Sequence, residues 1–299
     1  MKKQLLRYDG EYRYQRTLAS SASVEGIGYW SGKSNRVEFR PAPIDSGVTF
    51  IREDLPNKPR VAALVGNRIE VPRRTNLTVG GVTVEMVEHV LAALSGMQVD
   101  NCEVAVTAPE MPGLDGSSAA YVEAIRSAGV VQQDATRRLL VISDVVRVGD
   151  DEAWVEARPN HKLQLDFKYR LDYGFNSPIG RETMTGSLTP KFFEKELAPA
   201  RTFILESEAN WLRSQGLCQQ VGFQDLIVFG DEGPIENELR FEDECVRHKT
   251  LDLIGDFALA GCDIAGSIIA YRSGHRLNAE LVKQLLLENE VQLSLRRSA

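Results

Sequence analysis

What the chain has little of narrows its chemistry. There are 4 cysteines among 299 residues. Cys102, Cys218, Cys245 and Cys262 lie far apart with no C-x-x-C pair, so neither a disulfide framework nor a thiolate metal site is expected. Positive charge is in deficit: Lys+Arg 35 against Asp+Glu 42 leaves a net charge of −7, which excludes a nucleic-acid partner held by phosphate neutralisation. No apolar run approaches the roughly 18 residues of a membrane span, since the best candidate, GCDIAGSIIAY, is short and carries Asp263. The start, MKKQLLRYDGEYRYQRT, has two lysines but no apolar run of about 7–15 residues behind them. No secretory signal and no integral membrane segment are expected, and the expected location is the cytoplasm.

The rest is an ordinary globular composition, 43% hydrophobic and 26% charged with Gly 24 and Pro 12 spread throughout. At about 100–200 residues per domain the length favours two domains. In the first half, RVEFRPA and VTFIRED alternate as strands between turn residues. The spacing of Val84, Val87, Leu91 and Leu94 predicts a helix over 83–94, stopped by Gly96. A strand follows at 101–109 and a helix at 117–129, with a serine near its start and Gly129 at its end. The polar stretch VQQDATRR (131–138) reads as the linker between units at 1–132 and 139–299. The second half repeats the order: strands, a long helix over 241–261, an apolar strand at 263–272 and a final helix at 278–289. V-x-H recurs in both first helices, at Val87–His89 and Val246–His248. A duplicated α+β unit with a site between the copies is the simplest architecture for this echo, although two unrelated α+β domains would look much the same.

Only four histidines occur: His89, His161, His248 and His275. His248, Asp252 and Asp256 are spaced i, i+4, i+8, and at about 100° per residue they drift only about 40° per step along one helix face. Imidazole and carboxylate one turn apart suit a shared Zn²⁺; a solvent-facing polar stripe suits the same spacing. His89, flanked by Glu88 inside an apolar helix of the other half, would complete three ligands and leave the open position of a catalytic zinc, with Glu88 placed to take a proton from water. His275, after a Ser-Gly turn, suits a general acid if Asp256 partners it, and equally an exposed loop histidine. His161 is assigned to the surface. Thr202 in ARTF offers a hydroxyl to an oxyanion and Lys249 a positive charge. PGLDGSSAAY lacks phosphate-loop spacing and reads as a turn with an N-cap.

Taken together, VEHVLAALSG (87–96), VDN (99–101), APEMPGLDGS (108–117), ARTF (200–203), GLC (216–218), LRFEDECVRHKTLDLIGD (239–256) and AYRSGHRLN (270–278) resemble the UDP-3-O-acyl-N-acetylglucosamine deacetylases of lipid A biosynthesis, over nearly the whole chain from QRTL (15–18). The resemblance implies two α+β domains, each a layered β-α-α-β sandwich, with the active site at their interface. It implies His89, His248 and Asp252 as Zn²⁺ ligands, Glu88 as general base, His275 held by Asp256 as the acid, Thr202 at the oxyanion, Lys249 near the diphosphate and Phe203 against sugar or base. An acyl passage is implied near 204–218, with Trp211, Leu212 and Leu217 as lining, though the same spacing suits a buried helix face. The implied partner is a nucleotide-sugar substrate carrying an acyl chain, bound by a monomer.

Three places depart from the family pattern. Trp30 in GYWSG stands where the family usually has histidine, Ala153 in DEAWVEA where a lysine is frequent, and the glycine pair common after GLC is missing. These bear on substrate fit more than on hydrolysis. They keep open an amidase acting on a different acylated nucleotide sugar, and a non-catalytic homologue that binds the nucleotide sugar or the acyl chain.

Overall fold

The computed structural model describes residues 12–297. Residues 1–11, on which most of the signal-sequence reading falls, and 298–299 lie outside the described residues. Strands form where apolar and polar residues alternate: Val37 and Phe39 of Ser34–Pro41, and Leu165, Phe167, Tyr169 and Leu171 of Leu165–Asp172, all point into the core. Among the described residues six helices accompany them: α1 (Glu88–Gly96), α2 (Ala119–Ala128), the short α3 (Pro190–Phe192) running into a π-turn, α4 (Glu206–Ser214), α5 (Glu244–Ala258) and α6 (His275–Arg297).

Two sheets share one topology. The first runs Ala22–Ile27, Ser34–Pro41, Cys102–Val106, Val48–Arg52, Arg60–Ala62; the second runs Val146–Gly149, Trp154–Arg158, Asp263–Tyr271, Leu165–Asp172, Arg181–Ser187. In both, the strand that follows the long helix enters the centre, antiparallel to the second strand and parallel to the third. Leu139–Val141 adds a further parallel pairing to the second sheet. Each unit is interrupted between its fourth strand and its helix by a three-stranded insert: Arg68–Ile69, Asn76–Val79 and Val82–Val84 ahead of α1, and Phe203–Leu205, Ile227–Gly230 and Gly233–Pro234 ahead of α5. The α+β fold with two similar units is therefore present in the structure. One buried cluster runs from Phe39 and Phe50 through Leu91 and Leu94 of α1 and Leu251 and Ile254 of α5 to Phe167 and Ile268.

The structure moves several expected boundaries. The helix expected over 83–94 begins only at Glu88, because β-branched Thr83 and Val84 pair with Leu77 and Thr78 and Met86 takes φ 58, a left-handed break. VQQDATRR is not a free linker: Val130–Thr136 is a strand paired antiparallel with Tyr14–Leu18. The final helix starts at His275, placing that residue on the first helical turn instead of in a loop. Among the described residues no helix is long and apolar enough to cross a membrane.

Helices α1 and α5 cross at a point where no side chain fits. A Cβ added to Gly255 would stand 2.1 Å from the carbonyl oxygen of Glu88. Glycine there lets the two backbones touch, which sets the depth at which the polar residues of both helices meet.

Candidate metal centre and the groups around it

The α5 stripe is buried, not solvent-facing: His248 is 2% exposed, Asp252 4% and Asp256 0%. On α1, Glu88 and His89 occupy the first turn and are also buried. The crossing brings the stripe and that pair together. Ligand atoms of His89, His248 and Asp252 all lie within 4.8 Å of one another. Asp252 Oδ1 sits 3.6 Å from His89 Nε2 and 3.4 Å from His248 Nε2, and the two imidazole rings are 5.0 Å apart and nearly perpendicular at 87°.

The surroundings fit a cation. The Nδ1–H of His248 donates to the Ala200 carbonyl at 3.1 Å, which turns the Nε2 lone pair toward Asp252. Burial lowers the His248 pKa to about 4, so the ring is neutral at physiological pH, as a ligand must be. Burial alone would raise the Asp252 carboxyl, but Lys249, whose ammonium donates to Oδ2 at 2.7 Å, holds it well below the usual range. Two imidazoles and one carboxylate in a buried cluster are a donor set for a borderline divalent metal.

Two titratable groups flank the cluster. Burial pushes the Glu88 carboxyl above its ordinary range against the opposing pull of His275 and His89, and its Oε2 accepts the backbone N–H of Thr75 at 2.9 Å. On the other side, His275 Nδ1 meets Asp256 Oδ2 at 2.9 Å, leaving Nε2 4.0 Å from Asp252 Oδ2. Burial disfavours the imidazolium, yet the Asp256 carboxylate outweighs it and raises the His275 pKa to about 9. Asn278 donates to the same Asp256 oxygen at 2.8 Å.

The ARTF segment lies against α5. Arg201 makes a buried bidentate pair with Glu244, Nε to Oε1 at 2.8 Å and Nη2 to Oε2 at 3.1 Å, which fixes Ala200 beside His248. The Phe203 ring lies 6.3 Å from that of His248 and 5.9 Å from that of Tyr173. Thr202, half-buried between them, is held by its backbone, its N–H donating to Gly116 and its carbonyl accepting from Ile227. In the 204–218 segment Leu212 is buried, Leu217 is half-buried and Trp211 is 57% exposed, so the three do not sit at one depth. His161 is exposed. Ser118 makes no side-chain cap for α2; its hydroxyl donates to the His89 carbonyl at 3.0 Å.

Sequence reasoning missed Glu244, Arg201, Thr75 and Asn278. Glu244 stands one turn ahead of His248, so extending the same i+4 spacing backwards would have found it; the other three carry no local signal. A cavity of about 640 Å³ lies at the far end of the α1/α5 pair, but none of the expected site residues lines it. Its Arg13 is spent on Asp100 and Asp263, a tie between the two units.

Comparison with known proteins follows the same lines. A family model described as UDP-3-O-acyl N-acetylglycosamine deacetylase matches residues 15–287. A curated protein of Brucella ovis named UDP-3-O-acyl-N-acetylglucosamine deacetylase is 38% identical over 279 residues, 91% of this chain and 95% of its own length. Proteins of the same name from Brucella canis and Brucella melitensis match to the same extent.

Proposed function

The chain belongs to the UDP-3-O-acyl N-acetylglycosamine deacetylase family, and from that premise we propose that it is a zinc-dependent amide hydrolase. Its substrate is UDP-3-O-(3-hydroxyacyl)-N-acetylglucosamine, from which it removes the 2-acetyl group in lipid A biosynthesis. The observation that carries the chemistry is the meeting of His89 from α1 with His248 and Asp252 from α5 within 4.8 Å, between one carboxyl raised by burial and one imidazole raised by a carboxylate.

His89, His248 and Asp252 are the residues that would hold Zn²⁺, which supplies Lewis acidity to the amide carbonyl and acidifies water. Glu88 takes the proton as water adds to the carbonyl carbon; burial strengthens it as a base by raising its affinity for protons. His275 is protonated below about pH 9 and gives its proton to the nitrogen as the C–N bond breaks, releasing acetate and the free amine. Asp256 keeps that imidazole oriented and charged. Thr202 and the His275 cation stand for the oxyanion. Lys249 is assigned to the anionic nucleotide region, Phe203 to sugar or base, and the 204–218 segment with Trp211, Leu212 and Leu217 to the acyl chain.

Incubating the zinc-loaded protein with the acetylated substrate and measuring released acetate tests this reading. About one tightly held zinc per chain is the expected content, and a metal-stripped protein with full activity would sink it. A second reading, hydrolysis of another acylated nucleotide sugar, is favoured by the Arg74 guanidinium lying 4.2 Å over the Trp30 ring, a pairing histidine in place of Trp30 would change. The same assay run across alternative acylated sugars decides between them.

A further inference from the structure

Thr75 lies just ahead of the Asn76–Val79 strand of the first insert and is 0% exposed. All its polar groups end on the two site helices or their approach. Its N–H donates to Glu88 Oε2 at 2.9 Å, its carbonyl accepts the Val87 N–H at 3.1 Å, and its hydroxyl donates to Asp256 Oδ1 at 2.6 Å. Glu88 belongs to the first unit and Asp256 to the second, so one residue holds both carboxylates that steer protons, from opposite sides of the metal cluster.

The arm carrying Thr75 is itself held. Asn76 Oδ1 accepts the Met86 N–H at 3.1 Å, and on the other side Arg74 stacks on the Trp30 ring, while the Trp30 backbone N–H donates to Glu110 Oε1 at 2.8 Å. A buried, short-range contact on a clamped arm is what orientation within about half an ångström requires. Resting on the deacetylase reading, we propose that Thr75 is a positioning residue. It fixes Oε2 of Glu88 so that Oε1 is presented to the attacking water, and it fixes Oδ1 of Asp256 so that Oδ2 is left for His275 and Asn278. Three donors at 2.6, 2.8 and 2.9 Å then lock the Asp256 carboxylate in one plane. Without the hydroxyl the carboxylate turns, and His275 loses its aim at the leaving nitrogen.

The test uses the full chain loaded with zinc. Thr75→Val keeps the shape and the backbone bond to Glu88 but loses the hydroxyl; Thr75→Ser restores it. The expected result for Thr75→Val is kcat lowered about tenfold or more, KM within about twofold and zinc content unchanged, with Thr75→Ser within about threefold of the parent chain. The hydrogen-bonded Nδ1 proton of His275 should shift or broaden by NMR in Thr75→Val and not in Thr75→Ser. Should Thr75→Val not fold, Thr75→Ala compared with Thr75→Ser reads the same hydroxyl, serine being the faster by about fivefold or more. Normal kcat in Thr75→Val, or a serine variant as slow as its hydroxyl-free counterpart, overturns the proposal. A parent chain that releases no acetate overturns the deacetylase reading on which it rests.

Discussion

The two units have the same strand order, the same strand directions and an insert at the same place, yet they equip the site unequally. The first contributes a compact pair, Glu88 and His89, from one turn of a 9-residue helix whose other residues are almost all apolar and buried. The second contributes a stripe running over about three turns, Glu244, His248, Asp252 and Asp256, along a 15-residue helix, with His275 at the head of the next. Neither unit supplies all three of His89, His248 and Asp252. The site therefore exists only where equivalent helices touch, and the inserts ahead of them bring in Thr75 from one side and Thr202 with Phe203 from the other.

If both units are indispensable, breaking either should cost the same. His89→Ala and His248→Ala are each expected to leave well under one zinc per chain and to lower turnover by at least about 10³-fold, since Lewis-acid assistance is worth several kcal/mol at about 1.4 kcal/mol per tenfold. Metal analysis alongside acetate release checks this. A variant that keeps stoichiometric zinc would show that its unit supplies no ligand.

The next effect separates proton handling from metal holding. Glu88→Gln is expected to retain zinc and to lose at least about 10²-fold in kcat, the usual scale for a general base. Near-normal turnover would remove Glu88 from that role. On the second unit the signature is a pH limb. His275 is charged below about pH 9 because Asp256 outweighs its burial, so kcat/KM should fall as pH rises through that region. Asp256→Asn withdraws the raising charge, and the alkaline limb should move down toward the ordinary histidine value of 6.5. A limb that stays in place would mean another group sets it.

The sequence made the duplication visible because its causes are local: strand alternation, helical spacing and terminating glycines repeat in each half. The buried stripe of α5 was legible as a stripe but not as buried, since i+4 spacing is silent about which neighbour covers it. Residues 83–84 misled because their helical spacing is real; pairing with Leu77 and Thr78 overrides it. His275 could be named by type and by its turn, whereas its burial depends on α6 starting three residues before the expected 278. Thr75 and Arg201 could not be found at all. Each looks like an ordinary residue in its own segment, and the contacts that matter most, Thr75 with Asp256 and Arg201 with Glu244, span 181 and 43 positions.

Smaller effects come from two glycines that meet different obstacles. A Cβ at Gly255 would stand 2.1 Å from the Glu88 carbonyl oxygen, while one at Gly96, at the other end of α1, would stand 2.2 Å from the ring of Phe193. In both helices alanine gains about 1 kcal/mol of helix propensity over glycine, and overpacking costs about 1–3 kcal/mol against it. Both substitutions should therefore lower the melting temperature, with overpacking prevailing. Their kinetics should differ. At Gly255 the obstacle is backbone at the crossing itself, so Gly255→Ala must part the helices and displace Glu88 from His248 and Asp252, lowering kcat by about tenfold or more, on the scale at which a misplacement of about 1 Å costs about 10²-fold. Gly96 lies eight residues beyond Glu88 and its added Cβ would push only on the Phe193 side chain, so Gly96→Ala should leave kcat per folded molecule within about twofold. Equal kinetic losses at the two positions would mean that the whole length of α1, and not its contact with α5, sets the geometry of the site.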